Sequence, residues 1–154
     1  MTTDSPTSKL DFAAQWGRMN DTIIALVDYV PDDKMDWSPR EDLWDFRTIL
    51  SHISSTRDNW LTPEGVDREA VLATVTGKDD VKERLRGSWL RVEAFLSEQR
   101  YLDRVYESTR GDVEYSFSGH WIAFHVLEHD IHHRSDVFHY LALLGIEHPE
   151  VETP

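Results

Sequence analysis

Three histidines recur at intervals of four, His125, His129 and His133, with His132 and His139 close by. Residues four apart on a helix point the same way, one turn above the other, so a pair at that spacing can grip one metal ion. Imidazole suits zinc, nickel, copper and iron, and it binds in its neutral form. With about 100° of turn per residue, His129 and His133 share a side with Ile122, Val126, Val137, Tyr140 and Leu144. His125 and His132 fall towards the flank beside Asp136, and His139 lies further out near Glu128. The inward pair is therefore His129 and His133, and a third ligand must come from another helix, where His52 is the only histidine. Three neutral imidazoles leave a divalent ion its full charge and an open position at which water or a thiol is activated.

A histidine-rich helix also has plainer readings: a solvated face, an unspecific metal scavenger, or core histidines hydrogen-bonded to acids. Glu128, Asp130 and Asp136 follow the same logic. A carboxylate beside a ligand orients its imidazole, but each of the three reads first as part of a solvated, charge-balanced helix face. Arg134 is expected to pair with Asp130 or neighbouring acids. The zincin pattern is excluded, because Val126 and Asp130 follow His125 and His129 where a Glu would be needed. A carboxylate-bridged di-iron site needs Glu-x-x-His on two helices, which the chain lacks. No Gly-rich phosphate loop or Gly-x-Ser-x-Gly elbow is present. Ser51 and His52, as helix neighbours, diverge too far to form a hydrolase dyad.

Four main helices must carry these residues. Phe12, Trp16, Met19, Ile23, Leu26 and Val30 alternate spacings of four and three, and Pro31 ends that helix. Asp45 is an N-cap type that opens a second, with Phe46, Ile49, Leu50, Ile53 and Trp60 as its buried stripe and His52 at the stripe's edge. Thr62-Pro63-Glu64-Gly65 reads as a break, followed by a short helical turn between Val66 and Val75. Asp79 or Asp80 caps a third helix with Leu85, Trp89, Val92 and Leu96 inward. The period then changes: Val113, Tyr115 and Phe117 alternate with polar residues, and Gly111 turns this strand back on Arg104 to Ser108 as a short β-hairpin. Ser118 or Gly119 opens the last helix, which runs to Gly145; its roughly 25 residues span about 38 Å. The expected fold is all-α, a four-helix bundle with that hairpin before the last helix, as one domain over 1–154 with its core at about 8–146.

A chain of 154 residues suits a single domain, and six Trp, six Phe and five Tyr supply its core. The six tryptophans are expected to serve core and interhelical packing rather than a ligand cage. With no cysteine, disulfides and thiolate sites are excluded. The polar start of the chain is unlike a signal peptide and no apolar run reaches membrane length, so the expected location is the cytoplasm, with no membrane partner. A formal net charge of −13 without a basic stripe argues against nucleic acid. Phe124, Leu127, Ile131 and Phe138 form a second apolar stripe on the last helix, which implies a central position in the fold or a subunit contact.

Two runs resemble a known family. His125-Val-Leu-Glu-His-Asp-Ile-His-His-Arg134, continuing to Leu143-Leu-Gly145, resembles the last-helix signature of the DinB-like (YfiT-like) family. Trp37-Ser-Pro39, Trp44, Ile49-Leu-Ser-His-Ile53 and Trp60 resemble its second-helix entry. The resemblance implies a bundle with a three-histidine site, here His52, His129 and His133. It implies one divalent ion per chain, zinc or nickel foremost, with manganese or iron as others, and a homodimer. It also implies a metal-dependent enzyme, such as an S-transferase joining a low-molecular-weight thiol to a small electrophilic substrate. A metal-dependent hydrolase and a non-catalytic metal-binding or dimeric bundle are the alternatives. Where the family has Gly-Gln after His-Arg this chain has Ser135-Asp136, a change beside the site rather than in its ligands.

Overall fold

The computed structural model describes residues 11–61 and 75–148. α1 (Phe12–Tyr29) is capped by Asp11, whose carboxylate accepts from Ala14 N, and it ends at Val30, held extended ahead of Pro31. α2 (Phe46–Trp60) starts at Asp45, whose side chain accepts from Thr48 N. α3 (Lys78–Ser97) begins two or three residues earlier than its acids suggested. Gly77 is the N-cap, and Asp79 and Asp80 lie inside the first turn, where carboxylates favour the positive end of the helix dipole. A short α4 (Gln99–Asp103), unforeseen from periodicity, leads into β1 (Val105–Arg110). β2 (Val113–Ser118) pairs antiparallel with β1, Arg110 opposite Val113, so the loop is Gly111-Asp112. Gly111 has φ +60° and no other residue of the loop is left-handed, the signature of a II′ turn with Gly first. The expected break at 62–65 and the turn after it fall on 62–74, outside the described residues.

α5 (Gly119–Leu143) is capped by Ser118, whose hydroxyl accepts from Trp121 N. It closes in a Schellman motif: Ile146 N donates to Leu141 O and Gly145 N to Ala142 O, with Gly145 at φ +71°. Its first residue has a steric reason to be glycine. A Cβ at Gly119 would stand 1.9 Å from Tyr101 O and 2.7 Å from Leu102 Cα, so the start of α5 lies directly on the backbone of α4.

The four long helices form a ring of contacts, α1 with α3, α3 with α2, α2 with α5 and α5 with α1. Trp16, Ile23, Leu26, Phe46, Leu50, Ile53, Leu85, Val92, Ile122, Val126, Val137 and Leu141 fill the centre. Phe95 rather than Leu96 is the buried residue at the end of α3. Among the buried polar residues, one from each long helix is no more than 2% exposed: Asn20, Arg57, Ser88 and Asp130. They meet in one layer. Arg57 Nη1 donates to Asn20 Oδ1 at 2.7 Å and to Ser88 Oγ at 3.4 Å, and Arg57 Nε donates to Asp130 Oδ2 at 2.9 Å. Trp16 Nε1 donates to the same oxygen at 2.9 Å. The second stripe of α5 is split: Leu127 and Phe138 are partly buried against this core, whereas Phe124 is 60% and Ile131 42% exposed. Among the described residues no helix is long and apolar enough to cross a membrane.

Candidate metal centre

α2 and α5 lie side by side, and their caps set which turns meet. His52 stands two turns into α2, and His129 and His133 occupy successive turns near the middle of α5. Their imidazole rings converge, with centroids 4.7 Å apart for His52 and His129, 5.1 Å for His52 and His133, and 4.5 Å for His129 and His133. One nitrogen from each lies within 4.8 Å of the others. An ion bound at about 2.1 Å by each nitrogen needs them no more than about 4.2 Å apart, so small side-chain rotations close the cluster. His133 is 8% exposed; His52 and His129 are half-buried.

The hydrogen bonds sort the nitrogens. His133 Nδ1 lies 3.0 Å from Asp136 Oδ2, which leaves Nε2 for the cluster. His129 Nε2 lies 3.2 Å from Thr56 Oγ1, while its Nδ1 is buried with no hydrogen-bond partner. His52 makes no hydrogen bond among the described residues. Burial is the main force lowering all three histidine pKa values below 6.5. At His129 the surrounding histidines add repulsion, and its pKa falls to about 2. At His52 the charge of His133 adds to burial, whereas Asp136 opposes the shift at His133. Three imidazoles held neutral in one place, one with an orphaned buried nitrogen, form the donor set a borderline divalent ion takes. The residues fit such an ion.

Aromatic rings bracket the cluster along the α2–α5 seam. Trp44, just before the Asp45 cap, stacks on His133 at 5.7 Å and meets His52 edge-on at 4.8 Å while remaining 46% exposed. At the other end His125 lies between Trp60, at 4.7 Å, and Trp121, at 4.9 Å and nearly coplanar. The expected packing role places Trp16 in the core, 1% exposed, whereas Trp44, 46% exposed, packs at the edge of the histidine cluster. Trp44 stands ahead of the extended Asp45 cap, so no helical spacing to His52 signalled it.

Two further expectations are corrected. Asp130 belongs to no solvated face. It is fully buried, and its partner is Arg57 at 2.8 Å rather than Arg134. Arg134 lies beside Phe138, its guanidinium carbon 5.9 Å from the ring centre, with Nε buried and unpartnered. The reason is the stripe: position 130 follows Val126 by four and precedes Val137 by seven, so it faces inward whatever its charge. Glu128 is exposed, as expected, and Asp136 touches a candidate ligand. His125, His132 and His139 stand outside the inner cluster.

Comparison with known proteins bears on the fold. A DinB-like protein of Bacillus subtilis has a TM-score of 0.73 at 17% identity, over 92% of this chain and 94% of that one. A DinB-like protein of Bacillus cereus gives 0.67 at 17% identity, covering 90% and 94%. A protein of Exiguobacterium sibiricum assigned to the DinB family gives 0.61 at 18% identity, covering 91% of each chain. At such identities the likeness shows the shared fold. No curated protein matches the sequence. The model of the DinB family matches residues 5–154, and with the helical bundle, the hairpin and the order of the elements in agreement, the chain belongs to the DinB family.

Proposed function

We propose that the protein binds one divalent ion, zinc or nickel, between His52, His129 and His133, and uses it in catalysis on a small substrate in the cytoplasm. The reaction proposed is transfer of a low-molecular-weight thiol to a small electrophile. The observation that carries this reading is the convergence of three neutral imidazoles from two helices, with no fourth protein donor in the cluster among the described residues. A structural site fills its coordination sphere, whereas a catalytic one leaves a position open. An ion so bound supplies Lewis acidity that makes a thiol or water reactive at neutral pH.

The chain's own residues prepare the place. Asp136 takes the Nδ1 proton of His133 in a hydrogen bond and so directs the opposite nitrogen inward. Thr56 contacts His129 and fixes its ring against α2. Trp44 packs against His133 and His52 and restricts their rings. The exposed indole also offers an apolar wall to an organic substrate.

Turnover of an epoxide or alkyl halide by the zinc- or nickel-loaded protein with an added low-molecular-weight thiol tests the reading. Product that requires both ion and thiol, and that disappears in His52→Ala, is the expected result. Inactivity across thiols and electrophiles with the ion bound contradicts the transferase. It leaves the hydrolase, tested with esters and amides, and a non-catalytic metal-binding bundle. A homodimer is proposed through the Phe124 and Ile131 stripe; sedimentation velocity of the wild type and Phe124→Glu decides it, a dimer in the first and a monomer in the second being expected.

A further inference from the structure

His133 turns one nitrogen inward, and its other nitrogen meets a second group of donors. His133 Nδ1 is 3.0 Å and His132 Nε2 3.7 Å from the same oxygen, Asp136 Oδ2. One donor atom from each of His132, His133 and Asp136 lies within 4.8 Å of the others. His132 and Asp136 are four apart on α5, so their side chains share a face one turn apart. The His132 side chain is 69% exposed and that of Asp136 35%, against 10% for His133, so this group opens to solvent on the outer side of the inner cluster.

We propose that His132 and Asp136, with His133 between them, form a second, outer site for a divalent transition-metal cation, coupled to the inner cluster through His133 and Asp136. An imidazole–carboxylate pair is a donor set for zinc, nickel or copper; magnesium and calcium take oxygen donors instead. The outer site is the weaker. When His133 serves the inner ion, the outer ion keeps His132 and Asp136 as its own donors, and both are solvated. The coupling is negative for two reasons. Asp136 Oδ2 either accepts from His133 Nδ1 or ligates the outer ion, so filling the outer site withdraws the group that orients an inner ligand. Two divalent charges on either side of one imidazole also repel each other. Linkage makes the penalty reciprocal, each ion weakening the other by the same factor. The existence of the outer site is independent of the inner-site reading; only the coupling rests on it.

Calorimetric titration of zinc chloride into the metal-free full chain tests this, with the wild type, His132→Ala and His52→Ala compared. His132 is exposed on a regular helix, so its replacement leaves the core intact. The wild type should show two classes of site, one ion each, at least tenfold apart in affinity. His132→Ala should keep the tight class and lose the weak one. His52→Ala should lose the tight class and bind the remaining ion more tightly than the wild type's weak class. A wild type with the tight class alone, or a weak class unchanged in His132→Ala, overturns the outer site. An unimproved affinity in His52→Ala overturns the coupling. A wild type lacking the tight class but keeping a weak one sensitive to His132→Ala sinks the inner site and upholds the outer.

Discussion

Arg57 and Asp130 pair at 2.8 Å with no exposed side-chain surface on either, one residue along from Thr56 and His129, which touch across the same two helices. The ion pair and the candidate metal centre thus share one stretch of the α2–α5 seam. A buried pair of this kind stabilises little relative to an apolar pair, but removing one partner strands a charge and costs about 3–5 kcal/mol. Asp130 Oδ1 lacks a partner and burial raises the Asp130 pKa against the pull of Arg57, so the pair itself carries a desolvation penalty.

Urea unfolding should therefore find Asp130→Ala destabilised by about 3–5 kcal/mol. The double variant Arg57→Met with Asp130→Leu should regain most of that stability. If the polar layer sets helix register, the double variant should still bind zinc more weakly than the wild type. Equal affinity would show that the layer does not position the ligands.

Gly119→Ala should destabilise by about 1–3 kcal/mol, because the added methyl meets backbone atoms of α4 that cannot rotate away. Thermal unfolding reads this directly. A neutral outcome would mean that the contact between α4 and α5 is looser than described.

Much of the fold was legible. Asp45, Ser118 and Gly145 act as the caps their types suggest, and the alternation from Val113 to Phe117 correctly marked a strand in an otherwise helical chain. The inward turn of His129 and His133 followed from helix geometry alone. What was misjudged is Asp130, and the rest of its polar layer was not singled out. Asn20, Arg57, Ser88 and Asp130 stand at intervals of three or four from buried apolar neighbours, so the period placed them inside. For Asp130 residue type argued the opposite, and it took four helices meeting to show that each had a partner. Trp44 was missed at the edge of the cluster because it precedes its helix, outside any periodic stripe.

Asp136→Asn should weaken the tight zinc binding of the inner cluster roughly 10–100-fold while leaving its three histidines in place, since carboxylates that orient a ligand histidine contribute on that scale. Competition with a chromophoric chelator measures it. An unchanged affinity would show that the 3.0 Å contact with His133 does not orient the ring.

The metal-free protein should lose stability as pH falls below about 6.5, by the following linkage. The pKa values of His52, His129 and His133 are all lowered from 6.5 on folding, so below 6.5 the unfolded chain takes up protons that the folded cluster refuses. Their contribution is fully present above pH 6.5 and declines as the solution is acidified. His129, whose pKa drops to about 2, contributes about 1.4 kcal/mol of this loss per pH unit. Melting in chelator at pH 7.5, 6.5 and 5.5 should show the decline, and His129→Ala should flatten it. An equally steep slope in His129→Ala would place its source elsewhere.

The central claim is that one ion is held across two helices, and metal content by plasma mass spectrometry on untagged protein, dialysed free of loosely held ions, tests it most directly. About one zinc or nickel per chain in the wild type, lost in both His52→Ala and His129→Ala, is the predicted result. No stoichiometric metal in the wild type, or metal retained in both variants, would contradict it.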